Sequence, residues 1–248
     1  MTSCCPTRTS GDRTLGARLT AARPTAPGPP WRPLLLAHRG DWTNAAENSL
    51  EAFSAAALRP GVDGVELDVW AAGDGTPVVI HDSDLRRVQG LDREVAKLTA
   101  LELAAMGVPD LATVLGVLPD SSFVDVELKE DVTLRVVEVL AQVRGDPPRR
   151  IVISSFLPDA IAAVRTLAPG WPTWLLHERL DRGVVETAQA LGCRGVAIEW
   201  PALTQRMVTI VREAGLELMA WTISDRSALE GVMRFSPDAI CLDPPSLP

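Results

Sequence analysis

The stretch VELDVWAAGDGTPVVIHD, residues 65–82, decides how the rest of the chain is read. Two apolar, β-branched runs, 65–70 and 77–81, flank the connector AAGDGT. A parallel pair of neighbouring strands needs a crossover far longer than that connector. A hairpin turning at Gly73–Asp74 fits it, and sets Glu66 opposite His81, the two being equidistant from the turn. An extended return between parallel strands would instead bring both residues to one end of the sheet. In either arrangement Glu66 and His81 become neighbours.

Outside this stretch, short apolar runs alternate with helix-type segments. The strand candidates are 34–38, 122–129, 150–156, 173–178, 195–200, 217–223 and 239–243, most of them continuous apolar runs ending in a polar group. That is the pattern of parallel strands covered on both faces. Helix-type segments lie at 49–58, 99–106, 110–118, 131–144, 158–168, 183–191, 203–214 and 225–234. In the first of these Asn48 is the expected N-cap, with Glu51 three residues on. The alternation predicts a (β/α)8 TIM barrel over 34–248 with an irregular short connection between its second and third strands. Nine candidates compete for eight barrel places, and the anomaly is expected between the 65–70 and 77–81 runs.

Residues 1–33 read differently. Rich in Thr, Arg, Ala and Pro and lacking a continuous apolar run, they are expected to form a disordered extension rather than a secretory signal. They carry Arg8, Arg13, Arg18, Arg23 and Arg32 against Asp12, so the net charge of −8 conceals a more acidic body. Such a body argues against nucleic acid as a partner. No apolar run approaches the ~18 residues of a membrane span, so no stable membrane insertion is expected, and with no secretory signal read a cytoplasmic location is expected. Cys4, Cys5, Cys193 and Cys241 have no metal-type spacing, and the last two fall in apolar segments where a thiol packs as a small core residue. Nothing in the sequence sets an oligomeric state.

The ends of the strands carry the chemistry. The first closes in His38-Arg39, the second holds Glu66 and Asp68, the third ends in His81-Asp82, and the fourth holds Asp125, Glu127 and Lys129. In a barrel, groups at the C-terminal ends of different strands gather at one mouth. Strand alternation turns Glu66 and Asp68 to one face, and likewise Glu127 and Lys129. Carboxylates facing inward repel one another unless a cation intervenes, and oxygen-only ligation favours a hard divalent ion, Mg²⁺ or Ca²⁺. Such an ion with Arg39 and Lys129 makes a positive cluster in an acidic protein, which is a phosphate site. Two histidines beside it can divide proton transfer, one as base and one as acid. The reaction class is metal-assisted cleavage of a phosphate ester.

Taken in order, His38-Arg39-Gly40, Glu47-Asn48, Glu66-Leu67-Asp68-Val69, Asp74-Gly75, Val79-Ile80-His81-Asp82 and Glu127-Leu128-Lys129 resemble the glycerophosphodiester phosphodiesterases, as do Ser154-Ser155-Phe156, Ala220-Trp221-Thr222 and Asp243-Pro244. The resemblance spans roughly residues 34–245. It implies a phosphoinositide phospholipase C-like TIM barrel that hydrolyses small glycerophosphodiesters to glycerol 3-phosphate and an alcohol. It further implies Glu66, Asp68 and Glu127 as metal ligands, His38 and His81 as the acid/base pair, and Arg39 and Lys129 at the phosphate. In that family a neighbouring substrate hydroxyl is thought to attack first, giving a cyclic phosphate.

Around these the sequence suggests Glu47 and Asp125 as supporting carboxylates, Trp221 as a substrate wall and Trp42 as a second candidate wall. His177 has no role in the resemblance. The short segment between His81 and Glu127 suggests an open mouth and broad alcohol specificity, and Ser224 stands where the family usually has asparagine. Three other activities could use the same groups: a lysophospholipase D-type reaction, a lyase stopping at the cyclic phosphate, and non-catalytic binding of a phosphate ligand.

Overall fold

The computed structural model describes residues 32–248. The extension expected at 1–33 therefore lies outside the described residues except for Arg32 and Pro33. Arg32 is held to Asp63 by a two-pronged ion pair (2.6 and 2.7 Å) at the foot of the barrel.

The chain runs β1 (Leu34–His38), α1 (Leu50–Leu58), β2 (Gly64–Ala71), β3 (Pro77–Val79), α2 (Arg86–Gln89), α3 (Ala100–Ala105), α4 (Leu111–Val117), β4 (Phe123–Leu128), α5 (Thr133–Arg144), β5 (Ile151–Ser155), α6 (Pro158–Leu167), β6 (Thr173–His177), α7 (Arg182–Leu191), β7 (Gly195–Glu199), α8 (Gln205–Glu213), β8 (Glu217–Ile223), α9 (Arg226–Met233) and β9 (Ala239–Leu242). Eight of the strands are parallel neighbours in the order β1-β9-β8-β7-β6-β5-β4-β2, and pairing of β1 with β2 closes the ring. This is the (β/α)8 barrel. The ninth, β3, hangs antiparallel on the upper end of β2.

The hairpin exists, but its register differs by one residue from a turn at Gly73–Asp74. Val69 pairs with Val79 and Ala71 with Pro77, which centres the turn on Asp74. Gly75 adopts φ +79°, a left-handed conformation that costs glycine little, and so adds a third residue to the loop. Extended along the ladder, that register sets Glu66 level with Asp82 rather than His81. His81 lies just beyond the end of β3, where the chain bends into the mouth.

Strand parity explains what the ring contains. Leu36, Phe123, Val152, Trp174, Ala197, Met219, Ala239 and Cys241 point inward and are buried together, with Phe123 stacked on Trp174. The outward set, including Val65, Leu67, Val124, Val126, Ile153, Val196 and Leu218, packs under the helices. Burying each such side chain contributes about 1.5–3 kcal/mol. Further along the same inward rows stand Glu66 and Asp68 on β2, Asp125 and Glu127 on β4, and Ser154 on β5. The interior is thus apolar below and polar above.

Helix α1 starts one residue later than expected. Ser49, extended at φ −93°, is the N-cap, and its side chain accepts from the Ala52 amide. Asn48 sits at φ +56°, outside the extended conformation typical of a cap, and its amide is used elsewhere.

Candidate active site

Among the described residues, Glu66, Asp68 and Glu127 offer carboxylate oxygens that all lie within 4.8 Å of one another, and all three are buried. They stand side by side because β2 and β4 are in register, Glu66 level with Asp125 and Asp68 with Glu127. The cations arrive from two directions. Lys129, just past β4, puts Nζ 2.6 Å from Glu127 and 2.9 Å from Asp68. Arg39, in the left-handed region at φ +58°, turns Nε to 3.2 Å from Asp68. Asn48 Nδ2 donates to Asp68 Oδ2 at 2.8 Å.

Burial raises the Glu66 carboxyl well above its usual range, and the charges of Asp68 and Glu127 add to the rise. Glu127 is raised for the same reasons, with Lys129 opposing. Asp68 falls the other way: burial alone would raise it, but Lys129 and Arg39 outweigh that. Asp125, deeper and fully enclosed, is pushed up to about 8 by burial, with Ser154 pulling against. Neither of its oxygens nor the Ser154 hydroxyl has a well-formed hydrogen bond, so the floor of the site keeps polar atoms free.

The two imidazoles are each held from behind by a carboxylate. His38 Nδ1 is 2.7 Å from Asp243, and its Nε2 faces Glu66 at 3.9 Å. His81 Nδ1 is 2.7 Å from Asp82. Burial lowers the His81 pKa, with Lys129 and Arg39 adding to the fall and Asp68 and Asp82 opposing it. An acceptor at Nδ1 leaves Nε2 for the cavity, the arrangement a proton-transferring histidine needs. Both imidazoles, the carboxylates Glu66 and Glu127, Arg39 and Lys129 line one cavity of about 250 Å³. Asp68 braces it from behind. Phe156 and Trp221, edge to face with centroids 5.6 Å apart, form its apolar wall, and the Trp221 Nε1 has no partner among the described residues.

Among the supporting residues, Glu47 accepts from Arg39 at 2.9 Å. Trp42 is not among the residues that line this cavity; its indole donates to the His38 carbonyl at 3.1 Å and so braces the loop. His177 accepts from the Arg179 amide outside the cavity. Cys193 and Cys241 are buried free thiols.

Four residues carry contacts that reading the sequence did not assign. Asp82 and Asp243 were visible within the motifs, each next to a residue of interest, but nothing local tells which carboxylate turns to an imidazole. Phe156 stood beside Ser155 with no spacing to aim it. Asn48 was masked by its resemblance to a helix cap.

The model of the glycerophosphoryl diester phosphodiesterase family matches residues 38–123 and 113–247. The chain belongs to this family. It is accordingly a phosphoric diester hydrolase. A glycerophosphodiester phosphodiesterase of Caldanaerobacter subterraneus subsp. tengcongensis is 28% identical over 235 residues, covering 86% of this chain and 94% of the relative. A probable glycerophosphodiester phosphodiesterase 1 of Mycobacterium tuberculosis is 29% identical over 228 residues, covering 78% and 82%. Among solved structures, an Oleispira antarctica phosphodiesterase in complex with the product sn-glycerol-3-phosphate superposes with a TM-score of 0.79 at 27% identity, covering 86% of this chain and 94% of that one. The Thermotoga maritima glycerophosphodiester phosphodiesterase gives 0.73 at 26% identity, covering 88% and 97%. No helix among the described residues of this phosphodiesterase-family barrel is long and apolar enough to cross a membrane.

Proposed function

We propose that this enzyme hydrolyses glycerophosphodiesters to glycerol 3-phosphate and an alcohol, using a divalent cation, Mg²⁺ or Ca²⁺, with His38 and His81 as the proton-transferring pair. The observation that carries the reading is the joining, at one cavity, of two carboxylate-backed imidazoles with a buried cluster of three convergent carboxylates, of which Glu66 and Glu127 line the cavity and Asp68 lies behind it.

The donor set suits a hard cation. Glu66, Asp68 and Glu127 offer only oxygen, and Asp68 Oδ1, though 2.9 Å from Lys129 Nζ, has no well-angled hydrogen bond. Burial and mutual repulsion act against keeping all three ionised, and a divalent ion held by them would relieve both. Bound there, the ion would supply Lewis-acid polarisation of a phosphoryl oxygen. Arg39 and Lys129 supply the remaining positive charge, Arg39 with its fork aimed by Glu47 and Asp68. His38 and His81 each hold Nδ1 against a carboxylate and offer Nε2 to the reacting oxygens, one taking the nucleophile's proton and the other returning one to the leaving alcohol. The Phe156–Trp221 wall gives that alcohol an apolar surface, with the free indole N–H a donor to the substrate.

The test is release of glycerol 3-phosphate from a panel of glycerophosphodiesters in the presence of several metals. Excess chelator is expected to abolish turnover, and Mg²⁺ or Ca²⁺ to restore it. An ion bound at about 100 times its Kd should also stabilise the fold by about 2.7 kcal/mol, read as a raised Tm. An undiminished rate in chelator, with no Tm response to metal, overturns the metal role. Phosphorus NMR of the products separates hydrolysis from an accumulating cyclic phosphate.

Asn48 enters this reading as a support for Asp68. Asn48→Gly retains the positive φ but removes the amide, and is expected to lower kcat/KM by about 10–100-fold, the range for groups that orient a ligand. Metal-titration kinetics locate the effect: a raised metal requirement supports this role, and an unchanged one removes it.

A further inference from the structure

We propose that Arg87 is a positioning residue for the reaction, a clamp that joins the loop bearing His81 to the loop bearing Arg39. Its kinetic consequence rests on the hydrolase reading above; its geometric consequence does not.

Helix α2 follows His81 closely, and none of its four residues is buried, so packing does not explain where its side chains point. Arg87 nevertheless meets three carboxylate oxygens on two separate loops. Its Nε donates to Asp82 Oδ2 at 2.6 Å, and the other oxygen of Asp82 holds His81 at 2.7 Å. Its two terminal nitrogens donate to Glu47 at 2.8 and 2.6 Å, and Glu47 in turn accepts from Arg39 at 2.9 Å. A continuous chain thus runs from imidazole to carboxylate to guanidinium to carboxylate to guanidinium, ending at Asp68. Only arginine has the planar fork to make all these contacts at once; a lysine ammonium is a single point on a flexible stem. Burial alone would raise both Glu47 and Asp82, yet both carboxyls lie below their usual range with Arg87 among the causes.

The bland account is a surface ion pair, since the Arg87 side chain is 48% exposed. Exposed pairs contribute little to stability, so that account predicts almost no effect of losing it. Its neighbour supplies the control. Arg86 also binds two carboxylates, Asp84 and Asp92, but neither touches the site.

The experiment compares the full chain with Arg87→Gln, Arg87→Lys and Arg86→Gln, by steady-state kinetics and by ¹⁵N–¹H NMR of the imidazoles, which three histidines make assignable. In the wild type His81 should show a protected proton on Nδ1. Arg87→Gln should lose that signal and lower kcat by about 10–100-fold. KM should rise less, and Tm should move by no more than about 4 °C. Arg87→Lys should recover little, and Arg86→Gln should match the wild type in both readouts. An unchanged His81 signal in Arg87→Gln overturns the clamp whatever the kinetics, and so does wild-type turnover in that variant. A wild type that releases no glycerol 3-phosphate would instead count against the hydrolase reading, while the imidazole comparison would still decide the clamp.

Discussion

Alanine at His81 is expected to lower kcat by about 10²–10⁴-fold, and alanine at His38 to do the same, the range for losing a positioned general acid or base. The two histidines are not redundant. They approach from different strands, and each is backed by its own carboxylate, Asp243 for His38 and Asp82 for His81. Groups that work as a unit lose their effect together, so the double variant should be scarcely slower than the worse single one. Steady-state kinetics with an unchanged circular dichroism spectrum would make the comparison clean. Near wild-type kcat in either single variant would remove that histidine from proton transfer.

The second large effect is on the fold. A methyl group built on Gly64 would sit 1.9 Å from the Phe123 carbonyl oxygen, far inside any real contact. The atom in the way is backbone in the adjacent strand, paired to β2 along its whole length, so no side chain can swing aside. Gly64→Ala must therefore push β2 from β4, the pair of strands that holds all three convergent carboxylates. The expected cost is at least about 4 kcal/mol, in the tail of single-substitution effects. For a chain of this size that is a fall of roughly 8–16 °C in Tm. A melting curve within a degree or two of wild type would show that the sheet relaxes more easily than its geometry implies.

How much of this was legible beforehand differs from residue to residue. Val65, Leu67 and Val69 interleaved with Glu66 and Asp68 announce a strand covered outside and charged within, and the same holds for β4. Those two patterns carry most of the barrel and the carboxylate cluster, because alternation on a strand is a strict geometric rule. The hairpin could be read from a connector too short for a crossover, but not its register: whether Gly75 takes a positive φ depends on how the loop packs, and one added residue moves every pair. Asn48 shows a second kind of limit. An asparagine before a helix has two good uses, capping it or entering the left-handed region, and the serine next to it could take the first. Arg87 was least legible, since its acceptors come from β1's loop and β3's loop, one of them, Glu47, 40 residues away in the chain, and an Arg-Arg pair on a short surface helix carries no period that would single out either member.

The antiparallel strand β3 takes no part in closing the ring: β1, β2, β4 and the five strands that follow form a complete circuit without it. One half of the proposed proton-handling pair is thus mounted on an appendix to the scaffold, while the carboxylates and His38 are built into the hoop itself. Architecture and reactivity are to that extent separately editable. Changes in the length or sequence of the 72–90 arm are expected to retune or silence turnover in a barrel that still assembles, whereas the opposite edit, altering the hoop, threatens both together.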